Sequence, residues 1–137
     1  MKIKADKSRM VAAILGLLGA TIPLVIGFYL VSTMENLASY QNETSQIWIT
    51  VSTTAIASIA TFFGSYLILN SKPRKGGALN IAGGVILLAT YSYFSEFSKP
   101  NLLEWLNPLG LVLVIPPFFS GVTSLINSKS ERLAAAD

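Results

Sequence analysis

Five hydroxyl side chains recur at helical spacing in the second apolar stretch of this sequence. Spacings of four, four, three and four residues put them along one face of an α-helix. Such a row either packs against a neighbouring helix or, in several copies of the chain, lines a hydrophilic pore. Packing is favoured, because Ser and Thr hydroxyls in lipid bond a neighbouring helix or the carbonyl four residues earlier. The row consists of Thr50, Thr54, Ser58, Thr61 and Ser65.

Small residues form comparable faces in the first and third apolar stretches. A small residue at every fourth position lets two helix backbones approach closely, so each face is predicted to pack tightly on another helix. An asparagine on the second of these faces is expected to hydrogen-bond another helix rather than to coordinate an ion. The faces consist of Ala12, Gly16 and Ala20 in the first stretch and of Gly76, Asn80 and Gly84 in the third.

Prolines interrupt two of the apolar stretches. Pro23 lies within the first stretch, and Pro116 and Pro117 are adjacent near the middle of the fourth. Each proline removes a backbone N–H and leaves a carbonyl about one turn upstream without its helical partner. Broken helices of this kind build ion sites in some transporters. The neighbours of Pro116 and Pro117 are Leu, Val, Ile and Phe, so the sequence predicts helix kinks.

Residue types that carry most enzyme chemistry are missing from the apolar stretches. The chain contains neither His nor Cys. Glu104 is the only formal charge within the four stretches, and with Glu96 it falls at the predicted outer interface. Proton-coupled transport needs a titratable group inside the membrane. We therefore predict no catalytic residue, metal site or cofactor, and we do not expect an enzyme.

The apolar stretches themselves determine the predicted fold. Each has roughly the 20 residues that an α-helix needs to cross about 30 Å of hydrocarbon. Hydrophobic residues make up 52% of the chain and charged residues 12%. The sequence predicts an all-α membrane protein of four antiparallel transmembrane helices, with both termini cytoplasmic. The predicted spans cover residues 10–33, 47–70, 76–94 and 102–126.

Basic residues indicate the orientation of these spans. Nine of the ten Lys and Arg residues lie before the first span, between the second and third, or after the fourth. Short basic segments stay on the cytoplasmic side, so they act as topology determinants and a nucleic-acid partner is not expected. The predicted organisation is a basic cytoplasmic arm at 1–9, a transmembrane bundle at 10–126 and a cytoplasmic tail at 127–137. The outer loop holds one possible glycosylation site, Asn42.

These features favour a small non-catalytic integral membrane protein, located in the plasma membrane as an accessory or assembly subunit of a larger complex. Its expected partners are the lipid bilayer and other transmembrane subunits or copies of itself. One alternative is a homo-oligomeric channel or small transporter lined by the Ser/Thr face of span two. Another alternative is a structural protein of a virion coat or envelope.

Overall fold

Four α-helices make up the part of the chain that the computed structural model describes. The described backbone contains no strand and covers residues 2–34, 44–97 and 108–134, with side chains described for 7–29, 32, 48–90 and 112–130. The helices are α1 (Lys2–Met34), α2 (Thr44–Leu69), α3 (Pro73–Phe97) and α4 (Pro108–Ala134).

Helices α1 and α4 extend well past the predicted spans at the basic end of each. Helix α1 includes residues 2–9 of the predicted arm, and α4 continues into the predicted tail as far as Ala134. Lys and Arg are good helix formers, so a helix need not stop where its apolar segment stops. Residues 102–107 of the fourth predicted span, with Glu104, and the sequon at Asn42 lie outside the described residues.

Two helices are long and apolar enough to cross a membrane, judged by length and composition. These segments are Lys7–Tyr29 in α1, with 23 residues, and Trp48–Leu69 in α2, with 22 residues. At about 1.5 Å per residue, either segment exceeds a hydrocarbon core of about 30 Å. Only 33% of the most apolar 18-residue stretch in each helix is buried, so most of that stretch faces outward. Transmembrane roles for α3 and α4 stay a prediction.

The helices pack side by side in a closed ring in which α1 contacts α2 and α4, and α3 contacts the same two helices. The diagonal pairs, α1 with α3 and α2 with α4, make far less contact than the adjacent pairs. Glycines allow a close approach at every side of this ring. The close pairs are Gly16 with Ser65, Gly64 with Gly76, Gly77 with Gly121, and Gly19 with Pro117.

Small and polar side chains fill the interior of the ring, whereas large apolar side chains cover its outside. Among the described residues, the buried apolar side chains other than Ile68 and Leu87 are alanines and prolines. The outside carries bulky residues on every helix, including Phe28, which is 78% exposed. Water-soluble proteins bury most of their large Leu, Ile and Phe side chains, whereas many such side chains are exposed here. The fully buried polar residues are Ser58, Thr61, Ser65, Asn80, Ser120 and Ser124.

The connection between α2 and α3 is a Schellman motif, a hydrogen-bonded ending that reverses the chain. The Lys72 N–H donates to the Leu67 carbonyl at 2.9 Å, and the Ser71 N–H donates to the Ile68 carbonyl at 3.3 Å. Ser71 has a φ of 60°, in the left-handed region that favours glycine. Pro73 then begins α3, where a missing N–H costs nothing because no helical acceptor precedes it.

Replacing Ser71 by Gly is expected to stabilise the protein by roughly 0.5–1 kcal/mol, because glycine enters the left-handed region without a steric penalty. The substitution loses the hydrogen bond from Arg9 Nη1 to Ser71 Oγ, but that bond is exposed and long at 3.5 Å. Thermal unfolding in a mild detergent measures the effect. Ser71→Val is the control and should lower the melting temperature. A melting temperature for Ser71→Gly at or below that of the parent would contradict the assignment of this turn.

Candidate functional site

One buried asparagine connects the four helices at the centre of the ring. Asn80 on α3 donates from Nδ2 to Ser120 Oγ on α4 at 2.6 Å and to Ser65 Oγ on α2 at 3.4 Å. Ser120 Oγ in turn donates to the carbonyl of Ala12 on α1 at 2.5 Å. We call these groups, namely Asn80, Ser65, Ser120 and the Ala12 carbonyl, the Asn80 cluster. It is the place where a short polar chain of contacts passes through all four helices.

Glycines enclose the Asn80 cluster and leave no room for larger residues. A Cβ added to Gly16 would overlap Ser65 Oγ and would lie 2.6 Å from Asn80 Nδ2 and 2.8 Å from Ser120 Oγ. A Cβ added to Gly64 would overlap Asn80 Oδ1. The side chains of the cluster therefore occupy the space in which side chains of residues 16 and 64 would otherwise lie.

The carbonyl oxygen of the Asn80 side chain has no conventional hydrogen-bond partner. It lies against Gly64, on the side where a Cβ would stand in any other residue. A Cα–H of Gly64 points along that direction, so it can donate a weak C–H···O bond of the type found where helices meet closely. The Gly64 position thus supplies the space that the side-chain oxygen of Asn80 occupies.

Two further contacts connect α4 to the rest of the ring beside the cluster. The Ser124 hydroxyl donates to the Pro73 carbonyl at the start of α3, at 2.7 Å, and both residues are buried. Asn127 Nδ2 donates to Ser8 Oγ on α1 at 2.5 Å. Buried polar groups need such partners because an unpaired group away from water costs about 1–3 kcal/mol.

The hydroxyl row of α2 lies mostly inside the ring. Its last three members, Ser58, Thr61 and Ser65, are completely buried, whereas Thr50 and Thr54 are partly buried. Thr61 and Ser65 each donate to the carbonyl four residues earlier at 2.8 Å. The hydroxyl of Ser58 is buried and has no hydrogen-bond partner.

The small-residue faces of α1 and α3 are buried as well, and they face the helices beside them. Gly84 lies against the ring of Phe118 on α4, whereas its neighbour Gly83 faces Thr61 and the Ala57 carbonyl on α2. The structure therefore brings Gly16, Ser65 and Asn80 together, whereas Gly76 lies against Gly64 and Ile68 on α2 and Gly84 lies at the interface with α4. The buried members are Ala12, Gly16, Ala20, Gly76, Asn80 and Gly84.

The three prolines differ in burial, and Pro117 lies at the close approach of α1 and α4. Pro23 and Pro117 are completely buried, and Pro116 is partly buried. The Pro117 ring stands where a Cβ of Gly19 would be, with Pro117 Cδ 2.6 Å from that position. Both helices continue through their prolines. The Gly19 position therefore provides the space in which the proline ring of α4 reaches α1.

Sequence reasoning missed Ser120 and Ser124, although a signal for Ser120 exists in the sequence. Phe-Phe-Gly-Ser at 62–65 in α2 corresponds to Phe-Phe-Ser-Gly at 118–121 in α4, and Asn-Ser-Lys follows each segment at 70–72 and 127–129. In both segments the last two residues are buried. Each segment thus has a buried Gly and Ser pair after two phenylalanines, which marks Ser120 as a candidate for burial as it does Ser65.

Comparison with protein-family models, with curated proteins and with solved structures found no match to this chain. Among the described residues there is no group of three or more His, Cys, Asp or Glu that is arranged to hold a metal ion. The Asn80 cluster offers a neutral amide, hydroxyls and a backbone carbonyl. These groups donate and accept hydrogen bonds, so the chemistry that the cluster supports is helix association.

Replacing Asn80 by Ala is expected to lower the free energy of unfolding by about 1–3 kcal/mol, because Ser65 and Ser120 lose their shared donor and a small cavity forms. Denaturation by SDS in mixed micelles measures the change. Asn70→Ala is the matched control, since Asn70 is exposed and its Nδ2 bonds only the Tyr66 carbonyl of its own helix. Equal effects of the two substitutions would show that the amide of Asn80 carries no inter-helix energy.

Replacing Gly64 by Ala is expected to destabilise the protein by 2 kcal/mol or more, on the order of an overpacked core site. The added methyl would overlap Asn80 Oδ1 and lie 2.7 Å from the Gly76 carbonyl oxygen. Gly27→Ala is the control, because the nearest atom there, Thr54 Cγ2, is 4.0 Å from the added Cβ. The same SDS denaturation should find Gly27→Ala neutral or stabilising, since alanine is the better helix former. A neutral Gly64→Ala variant would contradict the close approach of α2 and α3.

Proposed function

We propose that this chain is an integral membrane protein with four antiparallel transmembrane spans. It serves as a non-catalytic accessory or assembly subunit of a larger complex in the plasma membrane. The observation that carries the proposal is the distribution of side chains, with hydroxyls, glycines and one amide inside and large apolar residues outside. Lipid and the apolar helices of other proteins are the surroundings that such a surface matches.

All four helices contribute to the apolar exterior, which supports four spans. Exposed large residues include Val25 on α1, Ile59 on α2, Val85 on α3 and Phe119 on α4. If α3 and α4 lay in water, their outward faces would expose apolar surface without compensation. A bilayer removes that cost for the whole ring at once.

Contacts between distant residues support the antiparallel order. Ser8 and Arg9 near the start of α1 contact Asn127 near the end of α4 and Ser71 after the end of α2. Further along α1, Gly27 has Thr54, in the first half of α2, as its nearest neighbour. The basic segments consequently gather at one end of the ring, and the positive-inside rule puts that end in the cytoplasm.

A scaffold role fits the interior better than a solute path does. At the level of Asn80 the space between the helices is filled by Gly16, Gly64 and the hydroxyls of Ser65 and Ser120. The side chains that hold the ring together contact other helices of the same chain. Partner helices would therefore contact the outward faces, such as the one on α2 that carries Ile56 and Phe63.

A homo-oligomeric channel is the second candidate, and the unpartnered hydroxyl of Ser58 is the observation that favours it. A permeating solute could form a hydrogen bond with that hydroxyl. However, Ser58 and Thr61 are completely buried within a single chain. A pore lined by this row would require α1 or α3 to separate from α2.

Native mass spectrometry after mild extraction from the natural membrane tests the proposed function. Unrelated proteins in fixed stoichiometry with this chain are the expected result, because an accessory subunit remains with its complex. A ring of identical chains would instead support the channel, and a very large homopolymer would support a virion or envelope protein. Either of these two outcomes would overturn the accessory-subunit proposal.

A further inference from the structure

Basic side chains from three distant segments of the chain meet at one end of the ring. Arg9 Nη1 donates to Ser71 Oγ, which joins the start of α1 to the connection between α2 and α3. Asn127 Nδ2 donates to Ser8 Oγ, which joins the same part of α1 to the end of α4. We call the resulting surface the basic end. Its described basic side chains are Lys7, Arg9, Lys72, Arg74, Lys75 and Lys129.

The basic end carries a strong excess of positive charge. Five of its six described basic side chains are exposed, and Arg9 is partly buried. Segments 1–9, 70–75 and 127–137 together contain nine Lys and Arg residues and three acidic residues. Anions near this surface therefore meet a positive potential contributed by α1, α3, α4 and the connection between α2 and α3.

Exposed apolar side chains begin directly beside these charges. On α1 the exposed residue after Arg9 is Met10, which is 60% exposed. On α2, Leu69 is 56% exposed and lies one turn before Lys72. On α4, Ile126 is 63% exposed and lies three residues before Lys129. The surface thus changes from cationic to apolar within about one helical turn, or roughly 5 Å.

We infer that the basic end binds the head groups of anionic phospholipids and selects them over zwitterionic ones. This inference rests on the proposed membrane location. A phospholipid with a net negative head group matches both parts of the surface, since its phosphate meets Lys and Arg while its acyl chains lie along the neighbouring apolar residues. A free phosphate or nucleotide matches the charges alone. The orientation of the spans depends only on how many basic residues lie on each side of the membrane. Selective binding of a lipid requires in addition that these residues lie close together at the basic end.

The connection between α2 and α3 is the strongest part of this surface. Lys72, Arg74 and Lys75 lie within four residues, and the Arg9 side chain reaches the same connection through Ser71. Arginine can bind phosphate oxygens with two parallel N–H groups, and lysine supplies a compact charge beside it. We therefore expect the phosphate of the lipid to lie near these residues.

Native mass spectrometry of the full chain, titrated with phosphatidylglycerol or phosphatidylcholine in detergent, tests the inference. The parent protein should retain phosphatidylglycerol preferentially. Replacing Lys72, Arg74 and Lys75 together by Gln should weaken that binding on the order of a hundredfold at low salt, which corresponds to about 1 kcal/mol per basic residue. The control is Lys72→Arg with Lys75→Arg, which keeps the charges and should bind phosphatidylglycerol at least as tightly as the parent.

Three outcomes would overturn the inference. These are equal retention of the two lipids by the parent, equal binding of phosphatidylglycerol by the parent and the Gln variant, and displacement of the lipid by inorganic phosphate at matched ionic strength. Failure of the membrane proposal is measured separately. The chain has no natural cysteine, so a Ser128→Cys variant in sealed vesicles reports whether that end is inside. A chain that does not insert defeats the proposed function, whereas an inserted chain without lipid preference defeats only this inference.

Discussion

Close approach of the helix backbones is the constraint on which the rest of this structure depends. In the bilayer that we propose for this chain, two apolar helices gain little from the hydrophobic effect when they associate, so packing and short polar contacts would hold them together. Gly64 and Gly76 permit the approach of α2 to α3, where a Cβ on Gly76 would overlap the Gly64 carbonyl oxygen. Ser and Asn have short side chains and reach a neighbouring helix only at such distances. The hydrogen bonds between helices thus depend on the close approach that the glycines permit.

Polar contacts of this kind determine which arrangement forms more than how stable it is. Hydrogen bonds between membrane helices average about 0.6 kcal/mol, a small gain for each bond. With the four spans that we propose, a rotated or shifted helix would leave Asn80 and Ser120 against lipid without partners, at a cost of several kcal/mol for each unsatisfied group. The free-energy cost of an incorrect helix arrangement is therefore much larger than the free energy that the hydrogen bonds contribute to the correct one. In the proposed bilayer, a neutral amide would impose this selection without the larger cost of burying a charge.

Periodicity in the sequence predicted the helices and the faces on which the small and polar residues lie, because a spacing of three and four residues follows from helix geometry alone. It could not predict which faces meet. Gly83 and Gly84 are adjacent, yet one lies against Thr61 and the other against Phe118, and only the order of helices around the ring separates them. The pairing of Asn80 with Ser120 spans 40 residues, and no local pattern in the sequence carries it.

The chemistry of the amide explains why an asparagine is suited to the centre of the ring. Ser65 and Ser120 each use their own hydroxyl hydrogen to bond a backbone carbonyl, that of Thr61 and that of Ala12 respectively. Each hydroxyl oxygen then remains as an acceptor, so the group between them must supply two donors. The side-chain NH₂ of Asn80 has two N–H groups, whereas Ser or Thr at that position would supply one. A Gln would supply two from a side chain one methylene longer, which the space left by Gly16 and Gly64 does not hold.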